Sequence, residues 1–262
     1  MNRKQLALIK KDIKAITSNK QIFSVMFIMP LALTIVLPSI LVIVTMMVPE
    51  ASSDYRELLD LLPVASQGGD ERKLVLELML NKIIPGFFLM IPIMASSVMA
   101  ASSFVGEKEK HTLETLLYSP LTLDEIFRAK ILASFSVGMI VSFASFFAML
   151  TVLEAEIFLL AGYFASFDIA WLVVMLLLSP ALCLIAIAIT VRGSAKAQTI
   201  EEAQQLAVFL VFPIIALVIG QFAGVIMINA GLLSLLGVGL AVFAAVFMKG
   251  VARKFTYERV LR

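Results

Sequence analysis

The sequence predicts an all-α membrane protein that crosses the bilayer several times, and three observations support this fold class. Of the 262 residues, 61% are apolar and only 15% are charged. The mean hydropathy is +1.00. A soluble domain has about 45–50% apolar and about 25% charged residues, so a globular core of this size cannot bury so much apolar surface. The third observation is a series of charge-free runs, each with the roughly 20 residues that a membrane-spanning helix needs.

Six charge-free segments are long enough to cross the bilayer as helices. We place these spans at about 22–48, 83–105, 131–153, 169–191, 206–228 and 230–248. The last two belong to one charge-free run from Leu206 to Met248, which is too long for a single span and reverses near Asn229. Residues 22–262 are therefore predicted to form one six-span transmembrane domain with both termini on the same side.

The basic residues are divided unequally between the two faces of the predicted domain. Of the 21 Lys and Arg residues, 17 fall on the side of the termini, in segments 1–21, 106–130, 192–205 and 249–262. The other 4 lie on the opposite side, in segments 49–82 and 154–168. Because short loops rich in Lys and Arg stay in the cytoplasm, we expect a multi-pass protein of the cell membrane with cytoplasmic N- and C-termini.

The first 21 residues are predicted to form an amphipathic helix that lies along the membrane surface. Leu6, Ile9, Ile13 and Ile16 follow one another at helical spacing. The opposite side carries the basic residues Arg3, Lys4, Lys10, Lys11 and Lys14. Such a helix places its apolar face in the lipid and its lysines near anionic headgroups. The alternative is a positive flank that only orients the first span.

The first exterior segment, 49–82, is predicted to form a small helical hairpin. Two amphipathic stretches lie on either side of Pro63 and the turn Gln67-Gly68-Gly69. Proline and glycine interrupt helices, so each stretch forms a separate short helix. The hairpin either caps an exit path or serves as a solvated connector, and the sequence leaves both alternatives open.

The interior segment 106–130 is predicted to hold a short helix with an apolar face. Leu113, Leu116 and Leu117 share one face, and Pro120 ends that helix. Thr122 with Glu125 forms a capping box, which starts a new helix at Leu123. A short, stiff helix of this kind is suited to docking into a groove of another protein.

The second interior segment repeats this arrangement on a smaller scale. Thr199 and Glu202 have the spacing of a capping box, with Glu201 between them in the first turn. The helix that starts there is expected to continue into the fifth span. Two capped helix starts on one face indicate that this surface is rigidly connected to the membrane helices.

Several classes of function are excluded or disfavoured by residues that the sequence lacks. Cys183 and His111 are each the sole residue of their type, which excludes Cys and His zinc sites and Ser-His or Cys-His hydrolases within one chain. There is no phosphate loop of the type Gly-x-x-x-x-Gly-Lys-Ser/Thr. We therefore expect no catalytic, cofactor-binding or metal-binding residues, and no nucleic-acid partner. The absence of charge in the predicted spans disfavours an ion-coupled carrier or a channel.

Polar residues without charge occur inside the predicted spans. Serines are numerous in the second and third spans, and small residues of this type favour close helix packing over substrate contact. Gln221 is an exception, because an amide in lipid must find a partner. Gly220 and Gly224 have the spacing of a close helix crossing. These three residues are candidates for span packing or for a transport pathway.

The interior segment also carries a motif that is shared with a known family. It reads Gly106-Glu107-Lys108-Glu109-Lys110, then Thr112-Leu113-Glu114-Thr115-Leu116-Leu117, Ser119-Pro120 and a helix from Asp124 to Lys130. This run resembles the loop between the second and third spans of the ABC (ATP-binding-cassette) type-2 permease family. The stretch Glu201-Glu202-Ala203-Gln204-Gln205, which leads to Pro213, is similar to the family's approach to the fifth span.

The resemblance implies the membrane subunit of an ATP-driven ABC exporter. The subunit would form a homodimer and bind two copies of a cytoplasmic ABC ATPase, which would bind ATP and Mg²⁺. Residues 1–21 would be the connecting helix, and Thr199, Glu201 and Glu202 would make a second cytoplasmic contact. The coupling residues would be Glu107, Glu109, Thr112, Leu113, Leu116, Leu117 and Pro120. The alternative is a membrane scaffold of the same fold that transports nothing, and a secondary carrier or channel is less favoured.

Overall fold

A computed structural model describes residues 3–47, 71–109, 120–222 and 230–253, and all regular structure in these ranges is helical. An amphipathic N-terminal helix is followed by six helices that are long and apolar enough to cross a membrane. They are α1 (Arg3–Ser18), α2 (Ser24–Met47), α3 (Val75–Glu109), α4 (Leu123–Ala161), α5 (Ala170–Ser194), α6 (Ile200–Gln221) and α7 (Gly231–Ala252). The predicted all-α, six-span fold class is confirmed.

Two of the membrane helices are longer than the apolar runs that predict them. Helical structure begins at Glu71, ahead of the apolar segment defined as α3, so the predicted second helix of the exterior hairpin continues directly into the span. Helix α4 has 39 residues and is followed by the C-cap residue Gly162, whose φ of +75° suits glycine. Hydropathy detects only the part of a helix that lies in lipid, and charged turns extend it at either end. Residues 49–70 of the predicted hairpin lie outside the described residues.

Within the part of the chain that the structure describes, three membrane helices contain a short π-helical stretch, and each stretch lies just before a proline. The stretches are Ser24–Ile28, Met79–Ile83 and Val174–Leu178, which precede Pro30, Pro85 and Pro180. Proline has no backbone N–H and its ring crowds the carbonyl four residues earlier. Widening the preceding turn relieves this clash without ending the helix.

Helix α3 lies at the centre of the bundle. In its most apolar stretch 83% of the residues are buried, against 22% in α2 and α6 and 17% in α7. Helices α4 and α5 pack directly against α3, while α2 packs on α4 and α7 packs on α5. The outer helices therefore leave large apolar side chains exposed, as expected for surfaces that contact lipid or another subunit.

Small residues allow the three inner helices to approach closely. A Cβ atom at Gly138 of α4 would lie 2.9 Å from Cβ of Ser96 in α3 and 3.2 Å from Sγ of Cys183 in α5. The buried hydroxyls of Ser134 and Ser142 donate to carbonyls one turn earlier in α4, at 2.9 and 2.8 Å. These serines therefore satisfy their polar groups within their own helix and act as small packing residues.

Candidate coupling site

The end of α3 carries the start of the motif predicted to couple the chain to an ATPase. The residues after Val105 continue the helix as Gly106–Glu109. Lys108 Nζ donates to the carbonyl of Ala197 at 3.4 Å, and Glu109 Oε2 accepts from the backbone N–H of Ile200 at 3.3 Å. Since the first amides of a helix have no partner within it, Glu109 satisfies one of those at the start of α6.

Glu107 belongs to a buried group of charged side chains from α1, α3 and α4. Its carboxylate forms an ion pair with the Lys130 ammonium at 3.0 Å and accepts a hydrogen bond from Lys11 at 2.7 Å. Lys130 Nζ also lies 3.7 Å from Asp12 Oδ2, and the hydroxyl of Ser103 donates to that carboxylate at 2.7 Å. We call these five residues the ionic cluster. It contains two carboxylates and two ammonium groups, so its formal charges balance.

The members of the ionic cluster differ sharply in exposure. The side chains of Lys130, Asp12 and Glu107 are only 3%, 6% and 10% exposed, whereas that of Lys11 is 56% exposed. The Lys130 ammonium in addition donates to the backbone carbonyl of Ser103. Buried charges are kept in folded proteins only when they are paired and hydrogen bonded, and this arrangement meets both conditions.

The predicted second contact forms the start of α6. The hydroxyl of Thr199 accepts from the backbone N–H of Glu202 at 3.3 Å, as a helix cap should. The Glu202 carboxylate accepts from the amide of Gln198 at 2.7 Å, one residue earlier than in the predicted box. Glu201 is exposed in the first turn. This cap and Glu109 together fix the start of α6 against the end of α3.

The start of α4 has the predicted capping box. Thr122 Oγ1 accepts from the Glu125 amide at 3.3 Å, and the Glu125 carboxylate accepts from the Thr122 amide at 3.0 Å. Pro120 is exposed just before it. The remaining predicted coupling residues, Thr112, Leu113, Leu116 and Leu117, lie outside the described residues. The structure therefore describes both ends of the coupling segment, which we define as residues 106–120.

Helix α1 is rotated relative to the predicted amphipathic arrangement. Its buried residues are Leu8, Asp12 and Ile16, spaced four apart, and they face α4 and the end of α3. Leu6, predicted to lie on the apolar face with Ile9, Ile13 and Ile16, is 53% exposed. Ile9 and Ile13 are half-buried beside this face. Part of the predicted apolar face therefore contacts protein rather than lipid, and the Asp12 carboxylate lies at the centre of that contact.

The ionic cluster adds two buried charged residues, Asp12 and Lys130, to the predicted site. Lys130 immediately precedes the apolar run of the third predicted span, and Asp12 lies in the N-terminal helix, so neither belongs to the predicted spans or to the predicted coupling residues. Both residues lie outside the predicted spans, so the prediction that those spans carry no charged residue is unchanged. Two signals in the sequence pointed to these residues: Lys130 closes the family-like motif, and Asp12 lies between Leu8 and Ile16 on one helix face.

The opposite end of the bundle holds the predicted packing or pathway residues. Gln221 of α6 donates its Nε2 to the carbonyl of Lys82 at 2.8 Å, within the π-helical stretch of α3. A Cβ atom at Gly86 would lie 2.6 Å from a methyl group of Val218, so α3 and α6 are in close contact here. Gly220 is half-buried on α6. Gly224 lies outside the described residues.

The loop between α4 and α5 is bound to α3 at this same end. Asn81 donates to the carbonyl of Ser166 and accepts from the amide of Asp168, both at 2.8 Å. Glu77 accepts from the hydroxyl of Ser166 at 3.0 Å, and Lys82 lies 3.5 Å from Asp168. Polar contacts thus connect the helices at both ends of the bundle.

Apolar side chains line the lengths of α2 to α7, and the described charged residues gather near the helix ends. These features define a multi-pass membrane protein. The sequence model of the family described as "ABC-2 type transporter" matches residues 4–218, which is more than half of the chain. The chain therefore belongs to the ABC-2 type transporter family, whose members are permease components of ABC transporters and associate with an ABC ATPase. No curated protein and no solved structure matches the chain.

Proposed function

We propose that the chain is the permease subunit of an ATP-driven exporter in the cell membrane. Two copies of a cytoplasmic ABC ATPase bind ATP and Mg²⁺ and hydrolyse the ATP. A second copy of the permease completes the transport path. This chain holds no nucleotide and performs no chemistry itself; it converts movement of the ATPases into movement of its membrane helices.

The observation that carries this proposal is the way in which the coupling segment is attached. At its start, Glu107 is bound to Lys11 of α1 and Lys130 of α4, and Glu109 is bound to the start of α6. At its end, the capping box at Thr122 leads directly into α4. A force applied to the segment therefore reaches four helices at once, which is what a coupling element requires.

The distribution of basic residues supports the proposed orientation. The start of the coupling segment contacts both α1 and the start of α6, so these three elements lie on one side of the bundle. This is the side that holds 17 of the 21 Lys and Arg residues. Such loops are retained in the cytoplasm, where an ATPase would be available.

The chemistry of the bundle favours an apolar or amphipathic substrate. The described parts of α2, α6 and α7 present many large apolar side chains at their surfaces. The ionic cluster lies at the end of the bundle and its charges are already paired. A substrate that passes along these helices therefore meets mainly apolar side chains.

The experiment that tests this proposal compares two double variants with the wild-type protein. Leu113→Asp with Leu116→Asp places charge on the predicted apolar face of the coupling segment. The control, Leu58→Asp with Leu59→Asp, makes the same change in the segment predicted to lie on the other side of the membrane. We expect the first variant to reach the membrane but to lose copurification with the ABC ATPase, and the control to retain it.

Two results would count against the proposal. If the Leu113 and Leu116 variant binds the ATPase as wild type does and keeps the same ATP hydrolysis, the coupling role is removed. If the wild-type permease copurifies with no ABC ATPase, the alternative of a non-transporting scaffold replaces the exporter.

A further inference from the structure

The ionic cluster joins three helices that are far apart in the sequence. Asp12 comes from α1, Glu107 from the end of α3 and Lys130 from the start of α4. Lys130 is the member that contacts both carboxylates. It also donates to the backbone carbonyl of Ser103 in α3, so a single side chain holds all three helices.

Stability alone does not account for such a cluster. Buried ion pairs gain little over well-packed apolar residues of the same shape, because both charges lose their hydration. Their best-attested use is to select one register or one arrangement among several that apolar packing would allow. Apolar contacts surround the cluster: Leu8 of α1 packs with Ile126 and Ala129 of α4. Apolar packing alone would allow α1 and α4 to shift relative to each other, whereas the ion pairs favour one arrangement of the two helices.

We propose that Lys130 is a positioning residue that clamps α1 and α4 to the start of the coupling segment, so that these elements move as one body. The inference rests on the proposed function, because it assumes that the ATPase displaces the segment. Lys130 touches neither nucleotide nor substrate. It acts through Glu107 and Asp12, and its loss uncouples α1 from α4 while the permease remains folded.

Distance measurements between spin labels test this proposal on the permease and ATPase complex in lipid nanodiscs. In a Cys183→Ala background, labels at Lys14→Cys and Leu132→Cys report the distance from α1 to α4. A second pair, Lys14→Cys and Lys249→Cys, reports the distance from α1 to the end of α7, which lies outside the clamped body. Each pair is measured without nucleotide and after trapping with ATP and vanadate. Excess unlabelled permease keeps the measured pair within one subunit.

In the wild-type protein we expect trapping to change the α1 to α7 distance and to leave the α1 to α4 distance unchanged. Lys130→Met should broaden the α1 to α4 distribution or shift its mean by about 2 Å, the upper end of typical helix shifts at interfaces. Lys130→Arg keeps a cation and should behave as wild type. Arg128→Met is the matched control, because it removes a 2.9 Å ion pair with Asp124 on the same helix at an exposed position.

A second variant covers the case in which Lys130→Met does not fold. The triple change Asp12→Asn, Glu107→Gln and Lys130→Met removes all the buried charge and keeps the side-chain shapes. It should fold and give the same broadened α1 to α4 distribution. The proposal is overturned if this distribution equals that of wild type, or if trapping changes the wild-type α1 to α4 distance.

The failure of the proposed function has a different signature in the same data. If nucleotide changes no wild-type distance at all, the ATPase does not drive this bundle and the exporter proposal fails. The proposed role of Lys130 is still tested by the α1 to α4 distances measured without nucleotide. A broadened α1 to α4 distribution in the Lys130 variants then supports the clamp, and an unchanged distribution overturns it.

Discussion

The burial of the ionic cluster leads to a quantitative prediction for the stability of the Lys130→Met variant. Methionine has nearly the same length as lysine, so the substitution leaves little empty space and removes mainly the charge. Glu107 keeps Lys11 as a partner at 2.7 Å. Asp12 retains only its hydrogen bond from Ser103 among the contacts in the cluster. One carboxylate is thus left without a cation at a position where its side chain is 6% exposed.

Removing one partner of a buried ion pair costs about 3–5 kcal/mol. We expect the free energy of unfolding to fall by about this amount in Lys130→Met. Arg128→Met should cost at most about 1 kcal/mol, because its pair with Asp124 is 70% and 63% exposed. The double change Asp12→Asn with Lys130→Met also removes the negative charge of Asp12, which has no cation beside it in the single variant, and should restore most of the stability.

The assay is unfolding by SDS in mixed micelles, followed by the fluorescence of Trp171. This residue is the sole tryptophan, and its side chain is buried between Phe88 and Phe146, with ring centroids at 5.6 and 5.3 Å. Loss of helix packing therefore changes its emission. A Lys130→Met variant as stable as Arg128→Met, or a double variant as unstable as the single one, would show that the buried ion pairs of Lys130 do not stabilise the fold.

Three further predictions concern helix packing and orientation. Gly86→Ala places a methyl group 2.6 Å from Val218 and should cost about 1–3 kcal/mol of unfolding free energy, whereas Gly239→Ala, with open space around it, should cost nothing in the same SDS titration. Gln221→Leu removes the bond to the Lys82 carbonyl and should lower stability by about 0.6 kcal/mol, and by no more than about 1.7 kcal/mol. A tag at either terminus should resist external protease in intact cells, and cleavage there would overturn the proposed orientation.

The six membrane helices could be predicted because each is marked by its own apolar run. The start of α4 could also be predicted, since Thr122 and Glu125 are close in sequence and form their bonds locally. Both kinds of signal are contained in a few neighbouring residues. The ends of α3 and α4 are harder to predict from the sequence, because charged turns extend both helices beyond the apolar segment that hydropathy detects.

The ionic cluster could not be predicted from local patterns. Ser103 and Lys130, the partners of Asp12, come from distant parts of the chain, so the amphipathic pattern of α1 alone cannot indicate that a carboxylate faces protein. For the same reason this pattern does not indicate that Leu8 is buried and Leu6 exposed. The family-like motif did contain both Glu107 and Lys130. Their contact, however, becomes apparent only when α3 and α4 are packed together.

We propose that this permease carries out transport driven by an ABC ATPase. The most direct measurement is ATP hydrolysis by the ATPase in liposomes, with and without the permease, across a panel of lipids, peptides and cations. We predict that the permease is required for stimulation and that at least one compound of the panel raises the rate. If the rate is the same with and without the permease for every compound, the account of this chain as an ATP-driven exporter is contradicted.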